Sequence, residues 1–300
     1  MSLDKHKYRQ LLLDVFIVIL ILVVLILVDF FYVSYKSGSG ELNNEIWQKQ
    51  TEEILNQEPL AASSPAIQTP VNGQMVFAPI LNFHRIDKAP KSADKISRSY
   101  FVEPAKFEQT LKDLLAAGYE FYFVSEVINF LQTNAWPEHK FVAITFDDGN
   151  EDFYTNAWPL LQKYQVKSSI YIMSGVRGDN YLSQEQIKEL SETDLVEVGS
   201  HTVWHPYLTK ITSQEIESEL SKSKTDLEIL IGKDVTILCY PFGLYNDEVK
   251  EIAKSVGYVA GLTFDQDAWQ NSGDLFSIRR ISVYPELNAL KYLERLKTEN

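Results

Sequence analysis

The strongest constraint on the fold of this chain is the alternation of short strand-like and helical segments from residue 75 onward. The strand-like runs are rich in β-branched or aromatic residues and are bounded by turn residues. They cover 76–83, 121–124, 141–146, 168–173, 196–199, 235–240, 258–263 and 278–283. Strands that alternate with helices pair in parallel through crossover connections. Seven or eight such units in about 225 residues predict an α/β protein of the β/α-barrel type.

Helix boundaries are also visible between these strands. Ser183 with Gln186, and Thr212 with Glu215, have the spacing of capping boxes, in which each residue satisfies a free backbone amide of the other. Gly232 follows the apolar positions of the second helix and is expected to end it.

Composition narrows the class of protein further. Hydrophobic residues make up 45% of the 300 residues, and there are 16 Tyr and 16 Phe, which is ample for a packed core. The formal net charge of −13 argues against a nucleic-acid-binding protein, because such proteins carry basic patches. Cys239 is the single cysteine, which excludes an internal disulfide framework and any cysteine-rich zinc module.

The N-terminal region has the pattern of a membrane anchor. Basic residues precede a mainly apolar run over 11–33. Its uninterrupted part, 15–28, is followed by bulky aromatic residues rather than by a small-residue cleavage site. We predict an uncleaved, single-pass signal-anchor in the cell membrane, within residues 1–35. A cleaved signal peptide and a buried core helix are the alternatives.

The region after this anchor is rich in Gly, Ser, Ala and Pro. Such a composition is typical of a tether, so residues 36–74 are predicted to be an extracytoplasmic linker. The catalytic domain is then expected over residues 75–300, on the outer side of the membrane. The sequence leaves the oligomeric state open.

Chemically capable side chains cluster where the predicted strands end. In β/α barrels the functional residues lie at the carboxyl ends of the strands. Three of the five histidines follow predicted strands, together with acidic residues and an aromatic loop. These groups are His84; Asp147 and Asp148; His201 and His205; Tyr240–Gly243; and Asp265 with Asp267.

Asp147 and Asp148 would repel each other at the end of an apolar strand. A divalent metal resolves this repulsion if one carboxylate binds the ion and the other stays free as a base. His201 and His205 could complete a site of two histidines and one carboxylate, a common set for catalytic zinc. Taken singly, the aspartates could form a solvated turn and the histidines could be structural.

Three motifs resemble those of a known family. Thr145-Phe-Asp-Asp148, His201-Thr-Val-Trp-His205 and Tyr240-Pro-Phe-Gly243 are similar to the first three motifs of the polysaccharide deacetylases, the NodB homology fold or carbohydrate esterase family four. The resemblance covers about Phe77 to Pro285. It implies a distorted (β/α)7-type barrel and a metal-dependent hydrolase.

Two departures from the family pattern refine the resemblance. No histidine follows Pro285, whereas His84 precedes the aspartate pair, as in the circularly permuted branch typified by poly-N-acetylglucosamine deacetylases. The arginine expected just before the third motif's proline is missing. Arg280 is our candidate for its replacement, and Asp265 is a second candidate for orienting the base.

The resemblance and the residue chemistry together imply specific roles. Asp148, His201 and His205 would bind one divalent ion, with Zn²⁺ as the first choice and Co²⁺, Ni²⁺ or Mn²⁺ as alternatives. Asp147 would be the general base and His84 the general acid. A further set is expected to bind the oxyanion or the sugar. It consists of the backbone amides of Tyr240 and Phe242 and the aromatic rings of Trp204, Tyr245 and Trp269, although each ring could equally belong to the core.

These roles predict an enzyme rather than a binding module. The expected reaction is N-deacetylation of N-acetylglucosamine-type residues in a bacterial cell-wall or surface polysaccharide. The candidate substrates are the linkage unit of a wall polysaccharide, peptidoglycan and poly-N-acetylglucosamine. An O-acetyl esterase and a catalytically silent glycan-binding protein are the alternatives.

Overall fold

A mainly parallel sheet forms the centre of the molecule in the computed structural model, which describes residues 73–299. Its strands follow the spatial order β10-β2-β4-β5-β6-β7-β8, and β3 pairs with β4 off this path. The strands of this sheet are β2 (Ile80–Phe83), β3 (Tyr119–Tyr122), β4 (Lys140–Phe146), β5 (Ser168–Ile172), β6 (Val196–Ser200), β7 (Ile237–Cys239), β8 (Ala260–Leu262) and β10 (Ile281–Ser282). The remaining two strands, β1 (Met75–Phe77) and β9 (Trp269–Asn271), form a separate antiparallel pair.

Helices connect most of the parallel strands, as crossover connections require. The connecting helices are α1 (Lys95–Ser99), α2 (Pro104–Ala116), α3 (Val124–Thr133), α4 (Trp158–Tyr164), α5 (Gln184–Ser191), α6 (Ser213–Ile231) and α7 (Asp247–Ser255). A last helix, α8 (Ala289–Thr298), follows β10. The two predicted capping boxes are present: Ser183 caps α5 and Thr212 caps α6. Gly232 ends α6 in the left-handed conformation.

The strands are buried on both faces, as is typical of parallel sheets. Alternate residues such as Val142 and Ile144 of β4 belong to a large core that includes residues of the helices. Ala143 of β4 instead joins a smaller cluster on the opposite face, which contains small and medium side chains such as Ala260 and Cys239. The register pairs Asn82 of β2 with Thr145 of β4, so polar side chains of both strands meet near the strand ends.

One short segment links the two ends of the sheet. Ile278 forms a parallel bridge with Leu262 of β8, and Ile281 of β10 pairs with Leu81 of β2. Arg280 lies between these contacts and is 1% exposed. The curvature of the sheet thereby brings a residue from near the C-terminal end of the chain beside the first parallel strand.

The α/β class with parallel strands is confirmed, but several predicted strand limits were wrong. The single strand predicted over 76–83 is two strands in different sheets, because β1 ends at Phe77 and Pro79 cannot donate a ladder hydrogen bond. Val124 begins α3 instead of ending β3. The antiparallel β1–β9 pair was not predicted.

The predicted anchor and linker, over 1–35 and 36–74, fall almost entirely outside the described residues. Both therefore stay predictions. Within residues 73–299, none of the helices has the length and apolar character needed to cross a membrane.

Candidate active site

A cavity of about 460 Å³ opens at the carboxyl ends of the parallel strands. The sequence predicted five catalytic or metal-binding residues directly after strands, and all five line this cavity. They are His84, Asp147, Asp148, His201 and His205. They come from β2, β4 and β6 or from the loops directly after them. The parallel arrangement therefore brings together residues that are up to 121 positions apart in the chain.

Asp148, His201 and His205 form a group that could hold a metal ion. Nε2 of His201 lies 3.5 Å from Oδ1 of Asp148, and Nε2 of His205 lies 3.8 Å from the same oxygen. One ligand atom from each residue lies within 4.8 Å of the others. Metal–ligand bonds of about 2.0–2.2 Å fit this spacing after a small inward movement. The donor set of two imidazoles and one carboxylate therefore suits a divalent ion.

Hydrogen bonds fix the orientation of this group. Nδ1 of His201 donates to the carbonyl of Cys239 at 2.8 Å, which leaves Nε2 as the nitrogen that faces Asp148. Burial, with a smaller contribution from His201, lowers the pKa of His205 to about 4. His205 is therefore an uncharged imidazole at neutral pH, the form that binds metals.

The loop from His201 to His205 is a turn held from outside by α6. Both the Val203 and the Trp204 amides donate to the carboxylate of Glu219 at 2.9 Å. The His205 amide donates to the Thr202 hydroxyl at 3.0 Å. The two imidazole rings meet edge to face at 4.6 Å as a result.

Backbone strain concentrates at this site. Six non-glycine residues in 73–299 have positive φ, and four of them line the cavity or belong to its loops: Asp148, Thr202, His205 and Phe242. A positive φ costs a non-glycine residue of order 1–3 kcal/mol and persists only where surrounding contacts impose it. The hydrogen bonds described above are such contacts.

Asp147 is a buried carboxylate whose two oxygens are held by Arg280. Nη1 of Arg280 donates to Oδ1 at 2.8 Å and Nη2 donates to Oδ2 at 2.9 Å. The Asn82 amide also donates to Oδ2, at 3.2 Å. Burial alone would raise the pKa of Asp147, but the Arg280 guanidinium outweighs burial and holds the pKa well below its usual range. Asp147 is therefore ionised at any physiological pH.

A second set of potential ligands, Asp147, His201 and Cys239, is less suited to a metal. Arg280 already occupies both oxygens of Asp147 and lies 3.1 Å from Sγ of Cys239. A cation beside this guanidinium would be repelled. Burial also raises the pKa of the Cys239 thiol, which disfavours the thiolate that metals bind.

His84 packs against two aromatic rings and lies near Asp147. Its ring centroid is 4.7 Å from that of Tyr100 and 5.8 Å from that of Phe264. Its Nε2 is 3.8 Å from Oδ2 of Asp147, which is too long for a direct hydrogen bond. Burial lowers the pKa of His84, and Asp147 opposes that effect only in part.

The loop of the third motif offers one backbone donor of the two predicted. The Tyr240 amide donates to the carbonyl of Leu262 at 3.0 Å, and Pro241 has no amide hydrogen. Phe242, with a φ of 58°, is thus the remaining candidate. Gly243 is required beside it, because a Cβ there would lie 2.2 Å from Cβ of Phe264.

Four predicted residues lie away from the cavity wall. Trp269 packs against Phe77 in the antiparallel pair, and its Nε1 donates to the carbonyl of Leu296. Trp204 is 64% exposed outside the cavity. The Tyr245 hydroxyl donates to the Asp265 carboxylate at 3.2 Å. The backbone carbonyl of Asp265 accepts from the backbone amide of Arg280.

Asn82 is a site residue that the sequence reasoning missed. It is 1% exposed, and its Oδ1 accepts from Nη1 of Arg280 at 3.0 Å and from the Thr145 hydroxyl at 3.1 Å. The sequence does contain a signal for this residue, because Asn82 is the one polar side chain in the apolar run Ile80–Phe83. A buried polar group needs hydrogen-bond partners.

The fold is an α/β fold with a mainly parallel sheet, and one cavity contains a group of potential metal ligands, a buried carboxylate and a histidine. This combination is that of a hydrolytic enzyme. Comparison with known proteins specifies the class. Residues 135–261 match the family model described as "Polysaccharide deacetylase". The chain is 31% identical over 223 residues to YxkH of Bacillus subtilis, which is named as a polysaccharide deacetylase, covering 73% of this chain and 77% of YxkH. The chain belongs to the polysaccharide deacetylase family.

Two further relatives place it within this family. The poly-β-1,6-N-acetyl-D-glucosamine N-deacetylase of Staphylococcus aureus is 28% identical over 227 residues, covering 68% of this chain and 77% of the relative. The structure of the Streptococcus pyogenes deacetylase PplD in complex with acetate is 29% identical, with a TM-score of 0.68. It covers 74% of this chain and 99% of PplD. The chain is thus a hydrolase that is similar to deacetylases over most of its described residues.

Proposed function

We propose that this enzyme removes N-acetyl groups from N-acetylglucosamine-type residues of a bacterial cell-wall or surface polysaccharide. The observation that carries the proposal is the placement of Asp147 and His84 in the same cavity as the Asp148, His201 and His205 group. The names of two relatives support it: one deacetylates poly-β-1,6-N-acetyl-D-glucosamine, and the other is a deacetylase whose structure contains acetate.

Asp148, His201 and His205 would hold the metal ion, with Zn²⁺ as the first choice for two imidazoles and one carboxylate. When bound, such an ion supplies a Lewis acid that polarises a carbonyl and makes water more acidic. The chain contributes the orientation of these ligands, through the Cys239 carbonyl and the Thr202 hydroxyl.

Asp147 would act as the general base. Its carboxylate is kept ionised by Arg280, so it can accept a proton from the attacking water at any physiological pH. The bidentate contact and the Asn82 amide fix its direction. General-base catalysis of this kind contributes on the order of 10²–10⁴-fold.

His84 would act as the general acid. The reaction forms a bond between the water oxygen and the acetamide carbon and breaks the carbon–nitrogen bond. The leaving nitrogen needs a proton, because an amine leaves poorly as an anion. Because burial lowers the pKa of His84, its protonated form is the minor one at neutral pH, but that form is the stronger proton donor toward the leaving nitrogen. The Phe242 amide would donate to the oxygen of the tetrahedral intermediate.

The proposal predicts acetate and primary amines in equal amounts when the full-length protein acts on poly-N-acetylglucosamine, peptidoglycan or a wall-polysaccharide linkage unit. A chelator should abolish both products. His201→Ala should bind no transition metal and be inactive, because it removes a buried ligand. His139→Ala is the matched control, since His139 contacts Glu120 and Tyr122 outside the cavity.

Several outcomes would contradict parts of this proposal. Acetate without new amines would indicate an O-acetyl esterase. A wild-type protein that binds no divalent metal, or that is unaffected by chelators, would contradict metal dependence. Glycan binding without acetate release would favour a catalytically silent binding protein.

We further propose that residues 11–33 anchor the protein in the cell membrane and that 36–74 tether an extracytoplasmic catalytic domain. The apolar run and the basic residues before it support this orientation. We infer that the catalytic domain, residues 75–300, is a distorted (β/α)7-type barrel. The full-length chain should be recovered with membranes, and external protease should digest its C-terminal domain in wall-free cells. Recovery of a soluble chain lacking residues 1–35 would contradict the anchor.

A further inference from the structure

A second cavity, of about 720 Å³, lies beside the proposed active site and has a basic wall. Four cations line it: Lys88, Lys95, Arg98 and Lys106. We call this the basic cavity. Two carboxylates, Glu103 and Glu286, are also in its wall, so the cations are in excess. The excess is unexpected in a chain with a net charge of −13.

None of the four cations of the basic cavity forms an ion pair with a carboxylate of residues 73–299. Some other basic residues, such as Lys163, Lys224 and Lys250, pair with nearby carboxylates. The exposed Lys188 and Lys291 do not, so the clustering of the four cations in one wall, rather than the lack of ion pairs, distinguishes the basic cavity. Clustered like charges repel one another, so a bound anion would relieve this repulsion.

The basic cavity has a fixed position relative to His84. Phe101 lines both cavities, and Ser97 of the first cavity directly precedes Arg98 of the second. The Arg85 amide, next to His84, donates to the Tyr100 carbonyl at 3.1 Å, and the Val102 amide donates to the Arg85 carbonyl at 2.9 Å. The segment that separates the two cavities is therefore tied to the residues that follow β2, which include His84.

The two cavities differ in the groups that line them. The first cavity holds the proposed catalytic and metal-binding residues, with Asp147 already paired to Arg280, whereas the wall of the neighbouring basic cavity has an excess of cations and attracts an anion. Arg98 is partly oriented, because its Nη2 donates to the Ala93 carbonyl at 2.9 Å. A glycan that places an uncharged acetamide in the first cavity could place an acidic group in the second.

We propose that the basic cavity is a subsite for an anionic group on a sugar adjacent to the N-acetylated one, so that the preferred substrate is an acidic glycan. The group is a phosphate or a carboxylate, since both pair with Lys and Arg. This inference rests on the proposed deacetylase function and specifies its substrate class.

The test uses three matched tetrasaccharides of N-acetylglucosamine: one neutral, one with a phosphate ester on a single sugar, and one with a lactyl carboxylate there. The full-length protein should release acetate from at least one anionic compound with a kcat/KM on the order of tenfold above the neutral one. The preference should shrink as salt rises, because exposed charges are screened. Comparison of the two anionic compounds distinguishes phosphate from carboxylate.

Lys95→Gln/Arg98→Gln should lose most of this preference. Lys188→Gln/Lys291→Gln is the matched control, because both lysines are exposed on other helices, outside either cavity. Lys88→Gln/Lys106→Gln provides a second variant of the basic cavity should the first fail to fold by circular dichroism.

Equal kcat/KM for the three compounds, or a preference unchanged in folded variants of the basic cavity, would overturn the inference while leaving the deacetylase function intact. Failure of the wild-type protein to release acetate from any of them would contradict the proposed function itself.

Discussion

Asp147→Asn is expected to reduce acetate release by on the order of 10²–10⁴-fold while leaving metal binding intact. The amide cannot accept the proton of the attacking water, so the general base is lost. The proposed ligands Asp148, His201 and His205 are unchanged, and Asn is nearly the same size as Asp. Acetate release and metal content of the purified full-length protein are the two measurements.

The matched control for this variant is Asp267→Asn. Asp267 also pairs with an arginine, since Nη1 of Arg279 lies 2.9 Å from its Oδ2, but the pair is outside the cavity. The control should keep wild-type turnover. Undiminished turnover of Asp147→Asn would refute the assignment of the base, and loss of its metal would indicate that Asp147 is a ligand instead.

Arg280→Met is expected to lower the free energy of unfolding by about 3–5 kcal/mol at pH 7, because it leaves the Asp147 carboxylate buried without its partner. Arg280 and Asp147 are 1% and 3% exposed, so water cannot replace the two lost hydrogen bonds. Arg279→Met is the matched control, because its ion pair is partly exposed and such pairs contribute about 0–1 kcal/mol. Denaturant unfolding measures both variants.

The pH dependence of this loss has a definite sign. In the wild type the folded-state pKa of Asp147 is lowered, so the pair stabilises the fold above the unfolded pKa of about 3.9 and ceases to do so as the pH falls through the folded value. Without Arg280, burial raises this pKa instead. The stability difference between wild type and Arg280→Met should therefore be largest above the raised folded-state pKa of Asp147 in the variant. It should shrink as the pH falls from that pKa toward the lowered folded-state pKa in the wild type.

The double variant Asp147→Asn/Arg280→Met distinguishes an unpaired charge from a packing defect. Removing both charges should restore part of the stability that Arg280→Met loses. A double variant less stable than Arg280→Met would show that packing around the arginine, rather than the orphaned carboxylate, explains the loss.

Local signals in the sequence predicted the features that depend on near neighbours in the chain. The capping boxes at Ser183 and Thr212 are present because a cap involves residues only three positions apart. The strand ends before Asp147 and His201 were also predicted closely, since an apolar β-branched run stops there. The strand predicted over 76–83 was wrong because Pro79 interrupts it, and this proline is itself a local signal in the sequence.

The local sequence pattern did not predict the direction in which individual side chains point. The sequence contains Arg279 and Arg280 side by side, and only the tertiary structure separates them. Arg279 reaches Asp267 near the surface, while Arg280 points inward to Asp147, 133 residues away in the chain. Trp269 was misplaced for the same reason, because its partner Phe77 belongs to an antiparallel pair that no local pattern indicated.

The sequence by itself determined the α/β class, the family and the residues that gather at the strand ends. These follow from hydrophobic periodicity and from short motifs, which are properties of neighbouring residues. The tertiary structure decided which arginine holds Asp147 and that the Tyr240 amide is already used. It also decided that the basic cavity adjoins the proposed active site and that Asp148, His205 and Phe242 take left-handed backbone conformations. The physical reason is that strand register and the joining of the sheet ends set these contacts, and both depend on residues far apart in the chain.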